Sequence, residues 1–389
     1  MYRIGQAEKD AVARVIDSGK LFKINNGLQE VLHAEEEIKA KFGVKHSVLM
    51  TSGHGALVAA LTGMGVGPGD EVIVPAYTYI ATAMAVVAAG AMPVIAEVDD
   101  TLTLDAADVE KKITSRTKAI LPVHMQGLPT NMDAIMEVAK KHQVMVLEDA
   151  CQAAGASFKG QYLGTIGDAG AFSFNYYKII SCGEGGALLT NRKDIFECAM
   201  IYHDSSAIAY FGNQLDDITI PQFCGAEYRS NEIQAAILRE QLKRLDGIMA
   251  DNRKNKKIMM DELSSRYQFA PCNDPEGELA MTLAVRFETE KEARIFAAAE
   301  GVNGVLPIDT GKHVYCNWTP IMEKRGAFHP AMDPFKMEAN RDIVPNYTAD
   351  MCPKTLDILA KTVYVNINPD ETEAELEKRL NCLKNVSFA

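Results

Sequence analysis

Between about residues 45 and 200, short uncharged runs alternate with stretches of helical periodicity, and this alternation limits the fold more than any other feature. The runs are "SVLM", "EVIVP", "PVIAEV", "KAILPVH", "VMVLED", "AGAFSF" and "GALLT"; "NMDAIMEVAKKHQ" typifies what lies between them. Strands that are apolar on both faces and joined by helical crossovers belong in a mostly parallel, helix-covered sheet, so an α/β fold is expected. The stretch "VIVPAYTYIATAMAVVAAGAMPVIA", residues 72 to 96, carries no charge. Pro75, Gly90 and Pro93 punctuate it, and it reads as strand, helix and strand rather than as a membrane span.

From about 231 to 263 the text becomes one long charged helix with an apolar stripe through Ile233, Ala236, Ile237, Leu242 and Leu245. Such a helix suits either a bridge between domains or a solvated surface. "MTLAVRF", "EKEARIFAAAEG", "KTVYVNI" and "ETEAELEKRLNCL" then predict a smaller α+β domain. The expected division is 1–245 for a large domain with an N-terminal helical segment, and 246–389 for a small one. Residues 304 to 350 have little periodicity, and long irregular segments of this kind are commonly functional.

The 389 residues carry a formal charge of −12, which disfavours nucleic acid or an anionic membrane as the main partner. One buried pocket can still oppose that sign for a small anion. The eight cysteines are scattered with no CxxC, so neither a disulfide frame nor a metal site is expected. The opening residues lack the apolar core of a signal peptide, and a cytoplasmic protein is expected.

Ligands of open α/β sheets sit beyond the carboxyl ends of the strands. There "VMVLEDACQ" places Glu148 and Asp149, which strand alternation sends to opposite faces, followed by Gln152. "MTSGHGAL" opens a helix with Ser52, Gly53, His54 and Gly55, whose free N–H groups suit a phosphate. Ser173 ends "AGAFSF" and adds a hydroxyl. Lys178, in "FSFNYYKIISCGEGGALL", is a lone cation among apolar neighbours, which is costly unless it is paired or chemically used. A phosphate cradle, a carboxylate, an amide and such a lysine together serve pyridoxal 5'-phosphate. The lysine forms a Schiff base with the aldehyde, and the carboxylate keeps the pyridine nitrogen protonated.

The sequence resembles the DegT/StrS-type sugar aminotransferases, a branch of the fold-type I pyridoxal phosphate enzymes. The resemblance rests on "TSGHGAL", "GPGDEVIVPAYTYIATA", "TKAILPVHMQG", "LEDACQAAGA", "GTIGDAGAFSF", Lys178, "GEGGALLT" and "YRSNEIQAAIL", in that order through residues 45 to 245. It implies a large domain with a mostly parallel seven-stranded sheet and a smaller α+β C-terminal domain. It implies Lys178 as the covalent anchor and acid/base, Asp149 at the pyridine nitrogen, Gln152 near the ring oxygen and Tyr79 stacked on the ring. Ser52, Gly53, His54 and Ser173 would hold the phosphate, with "GEGG" seating the lysine by close backbone approach. Dehydratase relatives carry histidine in place of this lysine, so amino transfer from glutamate or glutamine to a keto sugar, free, acidic or nucleotide-linked, is expected. A homodimer with shared active sites is implied as well.

The chain departs from the family pattern at three places. His54 stands where threonine is usual, bringing an imidazole that becomes cationic if protonated. Glu227, in "GAEYR", takes the place of an asparagine that reaches the neighbouring subunit's phosphate, and a pairing of Glu227 with His54 across the dimer would compensate. Residues 313 to 335 resemble more the branch containing 8-amino-3,8-dideoxy-octulosonate aminotransferase, with Trp318 either at the substrate or in the small-domain core. Other readings remain open: a keto-cyclitol aminotransferase, a lyase of the same fold, or a regulatory protein that binds the cofactor. A nicotinamide dehydrogenase is disfavoured because no GxGxxG follows the first strand.

Overall fold

The computed structural model describes residues 3–23, 27–206 and 218–388. Seven of the apolar runs form one sheet, in chain order β1 (His46–Met50), β2 (Glu71–Pro75), β3 (Met92–Ala96), β4 (Thr117–Ile120), β5 (Met145–Asp149), β6 (Ala169–Ser173) and β7 (Gly186–Thr190). Their spatial order is β1-β7-β6-β5-β4-β2-β3. β3, β2, β4, β5 and β6 are parallel to their neighbours, while β7 runs antiparallel between β6 and β1. The alternation in the sequence has this origin: β2, β6 and β7 are buried at every position, because helices cover both faces.

The uncharged stretch folds as β2, then α2 (Ala81–Ala88), then β3. It is preceded in the chain by α1 (Gly53–Gly63), which starts directly beyond β1. Gly90 closes the turn after α2 at φ 89°, a left-handed conformation that glycine adopts without strain.

The long helix, α3 (Glu232–Leu263), is capped by Asn231, whose Oδ1 accepts from the N–H groups of Ile233 and Gln234. Leu238, Leu242, Leu245 and Ile248 pack in the core beneath the seven-stranded sheet, whereas Met259 and Leu263 pack in a separate C-terminal core. The helix therefore bridges two hydrophobic cores, and residue 245 lies inside it. The C-terminal core surrounds an antiparallel sheet of β8 (Gln268–Phe269), β9 (Thr282–Arg286) and β10 (Thr362–Asn366).

Residues 304 to 350 form a chain of short 3-10 turns with one α-helical turn, Thr319–Met322, and add Val314, Tyr315, Ile321 and Phe335 to the cluster that holds Val72 and Val74 of β2. Trp318 is fully buried there, in the same cluster as Tyr77 and Tyr315. It packs with Val72 and Val74 of β2 and not in the C-terminal core, one of the two places considered for it. The apolar ring is accommodated where its N–H finds a carbonyl, that of Lys312 at 3.0 Å.

Candidate active site

A cavity of about 370 Å³ opens at the carboxyl ends of β1, β5 and β6. Ser52, Gly53, His54, Tyr79, Asp149, Gln152, Ser173 and Lys178 all line it. Eight of the residues singled out from sequence are therefore brought together, although they come from separate segments of the chain. Glu227 is not among the lining residues. It is exposed, and its carboxylate pairs with Arg229 of its own chain at 2.6 Å.

The start of α1 builds the end of the cavity where a phosphate is expected. Ser52 Oγ accepts from Gly55 N–H at 3.0 Å, and Ser52 carbonyl from Ala56 N–H at 3.1 Å. Among the described residues the N–H groups of Gly53 and His54 have no acceptor, which leaves two donors at the positive end of a helix dipole. A Cβ at Gly53 would come within 2.6 Å of Cys151 Sγ and 2.8 Å of Ser173 Cβ, so only glycine fits.

His54 donates Nδ1–H to the Ala81 carbonyl at 3.2 Å, because a carbonyl can only accept. Burial, ahead of every other influence, pushes the pKa of its imidazole down from 6.5. The cationic imidazole considered from sequence is therefore replaced, in the protein alone, by a neutral ring anchored to α2.

Asp149 and Glu148 diverge as alternation requires. Glu148, fully buried, accepts from the N–H groups of Gly164, Ile166 and Gly167 at 2.9, 2.6 and 2.7 Å and lies 3.1 Å from His124 Nε2. It is consumed in holding the β5–β6 connection. Asp149 faces the cavity floor. One oxygen accepts from Thr82 Oγ1 at 2.7 Å and the other from Cys151 N–H at 3.1 Å. Thr82, fully buried on α2, has one proton, and it goes to the carboxylate. The 2.8 Å contact between Thr82 and Thr78 is then donated by Thr78.

Lys178 sits in the excursion between β6 and β7. Phe174 N–H to Gly185 carbonyl, at 2.8 Å, and Cys182 N–H to Phe174 carbonyl, at 3.0 Å, close its base. Asn175 shapes its tip, accepting Tyr177 N–H at its side chain and Lys178 N–H at its backbone, each at 3.0 Å. The apolar neighbours divide: Phe172, Phe174, Ile179 and Ile180 are buried, Tyr176 and Tyr177 are exposed, and Lys178 is half-buried. Lys178 thus stands at the edge of its apolar neighbours, on the wall of the cavity. Among the described residues Lys178 Nζ has no hydrogen-bond or ion-pair partner. A Cβ at Gly186 would lie 2.3 Å from the carbonyl carbon and oxygen of Ser52, so the lysine excursion and the start of α1 touch through bare backbone.

A second cavity of about 310 Å³ shares Tyr79, Gln152, Asn175 and Lys178 with the first. Its remaining walls include Gln126, Met281, Lys312, His313 and Asn366, none of which the sequence reading named. Residues 281, 312, 313 and 366 reach it from beyond α3; Lys312 and His313 fall in the irregular stretch 304 to 350 expected to be functional, whereas nothing in the sequence marks Met281 and Asn366. Gln152 spans both cavities, its Oε1 held by Gln126 N–H at 3.1 Å. Among the described residues no group of three or more His, Cys, Asp or Glu is placed to hold a metal. No described helix is long and apolar enough to cross a membrane.

A mostly parallel sheet with a lysine, a buried carboxylate and a helix N-terminus gathered at its carboxyl edge is the arrangement expected of a fold-type I pyridoxal phosphate enzyme. The chain belongs to the DegT/DnrJ/EryC1/StrS aminotransferase family, whose model matches residues 2–308. It is 41% identical over 251 residues to GDP-perosamine synthase of Caulobacter vibrioides, a match spanning 64% of this chain and 65% of that one. It is 38% identical over 309 residues to dTDP-3-amino-3,4,6-trideoxy-alpha-D-glucose transaminase of Streptomyces venezuelae, spanning 77% of each. Among solved structures, the aminotransferase from Psychrobacter cryohalolentis superposes with a TM-score of 0.81 at 27% identity, covering 99% of this chain and 98% of that one.

Proposed function

We propose that this protein is a pyridoxal 5'-phosphate-dependent aminotransferase that moves an amino group from glutamate or glutamine to a keto sugar, with Lys178 as its reactive amine. The observation that carries this reading is the unpaired Lys178 in one cavity with a doubly hydrogen-bonded Asp149 and two unsatisfied helix N–H groups. The residues fit the cofactor. The free donors of Gly53 and His54 with the Ser52 and Ser173 hydroxyls would take the phosphate, Tyr79 would cover the ring, and Asp149 would meet the ring nitrogen. When bound, pyridoxal phosphate supplies an aldehyde for an amine and a ring that withdraws electrons from the substrate's α-carbon.

The protein's own part is positioning and proton transfer. Thr82 and Cys151 N–H fix each Asp149 oxygen, leaving the remaining lone pairs for a cationic N–H. Once released by the incoming amine, Lys178 Nζ would take the proton from the α-carbon of the bound substrate and return it to the position two bonds away, across the amino nitrogen. Tyr79 and Gln152, lining both cavities, mark the boundary between cofactor and substrate. The active form in this reading is a cytoplasmic homodimer, and eight unpaired cysteines accord with a reducing compartment. The division into a domain ending near residue 245 and one beginning there belongs to the same reading.

Purified protein should show a visible absorption band that glutamate or glutamine bleaches, and a panel of keto sugars should restore it. Native peptide mass spectrometry after borohydride reduction should find the adduct on Lys178. An unmodified Lys178 in protein saturated with the coenzyme would end this reading.

A further inference from the structure

The second cavity has a composition at odds with the chain that surrounds it. The chain has a net charge of −12, yet the eleven residues lining this cavity include two lysines, Lys178 and Lys312, and no aspartate or glutamate. Lys312 Nζ lies 5.5 Å from the ring centre of Tyr79 and 5.8 Å from that of Tyr177. Among the described residues it has neither a hydrogen-bond acceptor nor a carboxylate partner. Two aromatic faces restrict the ammonium without neutralising it.

The backbone beneath it is fixed. Lys312 carbonyl accepts from Ile80 N–H at 3.0 Å and from Trp318 Nε1–H at 3.0 Å, and His313 carbonyl accepts from Thr78 N–H at 2.9 Å. These bonds tie the segment to the loop that carries Tyr79. His313 adds a second polar atom: its Nδ1 is buried and, among the described residues, has no partner. Burial foremost, then the Lys312 and Lys178 cations, push the pKa of that imidazole down to about 4, so it stands neutral at the cavity wall.

We propose that Lys312, held on the rings of Tyr79 and Tyr177, is the specificity-determining anchor for an anionic group of the substrate, a carboxylate or a phosphate lying within reach of Lys178. This rests on the amino-transfer reading for the reaction, though not for the binding. The anion has two possible carriers, a carboxylate on the amino donor or a carboxylate or phosphate on the acceptor. The amides of Gln126, Gln152 and Asn366 would supply neutral contacts around it.

The test uses the cofactor-loaded protein and its Lys312→Met and Lys312→Arg variants, with calorimetric binding of two unreactive probes, glutarate and uridine diphosphate. Loss of a charge-assisted hydrogen bond should weaken at least one probe by about tenfold or more in Lys312→Met, with Lys312→Arg recovering most of it. Affinity for that probe should fall with added salt in the natural protein and hardly change in Lys312→Met, which a merely structural lysine would not produce. Weakened glutarate assigns the anion to the donor, and weakened uridine diphosphate assigns it to the acceptor. If both probes bind Lys312→Met as they bind the natural protein, or neither binds the natural protein, the proposal is overturned. A visible band that no amino donor bleaches would instead refute the amino-transfer reading while leaving the binding result to judge Lys312.

Discussion

Replacing Thr82 by valine removes one hydroxyl and almost nothing else. The two side chains share a shape, and Thr82 is about as buried as a residue can be, at 1% exposure. Its Oγ1 donates to Asp149 Oδ2 at 2.7 Å and accepts from Thr78 at 2.8 Å, so valine strips the carboxylate of its side-chain donor and leaves Thr78 only a long 3.5 Å contact with the Tyr79 carbonyl. A hydrogen bond to a charged group contributes about 1.5–3 kcal/mol, and 1.4 kcal/mol is a factor of ten, so the expected loss is roughly 10- to 150-fold. In the proposed reading it falls on the rate at which glutamate bleaches the cofactor band, because Asp149 then meets the ring nitrogen less well aligned. Thr82→Ser keeps the hydroxyl and should stay within about threefold of the natural rate, the size of ordinary context effects. Stopped-flow half-reactions on the three proteins decide the matter. A valine variant as fast as the natural enzyme, with the same coenzyme affinity, would show that the Thr82–Asp149 bond does not orient the carboxylate.

Lys178→Ala should abolish the covalent adduct and amino transfer while changing stability in a urea titration by no more than roughly 0.5 kcal/mol, since Nζ has no partner to lose among the described residues. Gly186→Ala puts a methyl 2.3 Å from the Ser52 carbonyl; overpacking of this kind costs about 1–3 kcal/mol, and a fluorescence titration should read it as weakened coenzyme binding. His203 is fully buried, donates Nδ1–H to the Met200 carbonyl at 2.7 Å and faces the Lys23 ammonium at 3.5 Å. Burial, then Lys23, hold its pKa well below 6.5, so its contribution to stability is complete above pH 6.5 and is lost as the pH falls below it. Urea midpoints measured across that range should decline toward acid, and His203→Gln should flatten the slope. Gly247 is exposed within α3, with no atom within 4 Å of where an alanine Cβ would sit, and Gly247→Ala should gain roughly 0.5–1 kcal/mol in a thermal melt.

The sheet could be read from sequence because its strands are buried on both faces and leave long apolar words in the text. The opposite orientations of Glu148 and Asp149 follow from the two-residue period of β5 alone, and the structure gives each carboxylate separate work. The helix N-terminus at Ser52 was legible for a similarly local reason, a capping hydroxyl before glycines. Thr82 was not, since one hydroxyl inside an apolar helix changes no pattern. Lys312, His313 and Asn366 enter the cavity from segments more than a hundred residues beyond Lys178, and only the tertiary fold brings them there. The surroundings of Lys178 depart from the sequence reading for a physical reason. Sequence neighbours in a tight turn point in different directions, so Tyr176 and Tyr177 face solvent while Ile179 and Ile180 go inward.

The bare-backbone contact between Gly186 and Ser52 has a mechanical consequence. In the proposed reading, the covalent tether and the phosphate grip are not independent moorings, because the strands that carry the two loops, β1 and β7, are paired at Met50 and Gly186. Coenzyme loss should then proceed as a single concerted release, and empty protein should relax at both ends of the site together.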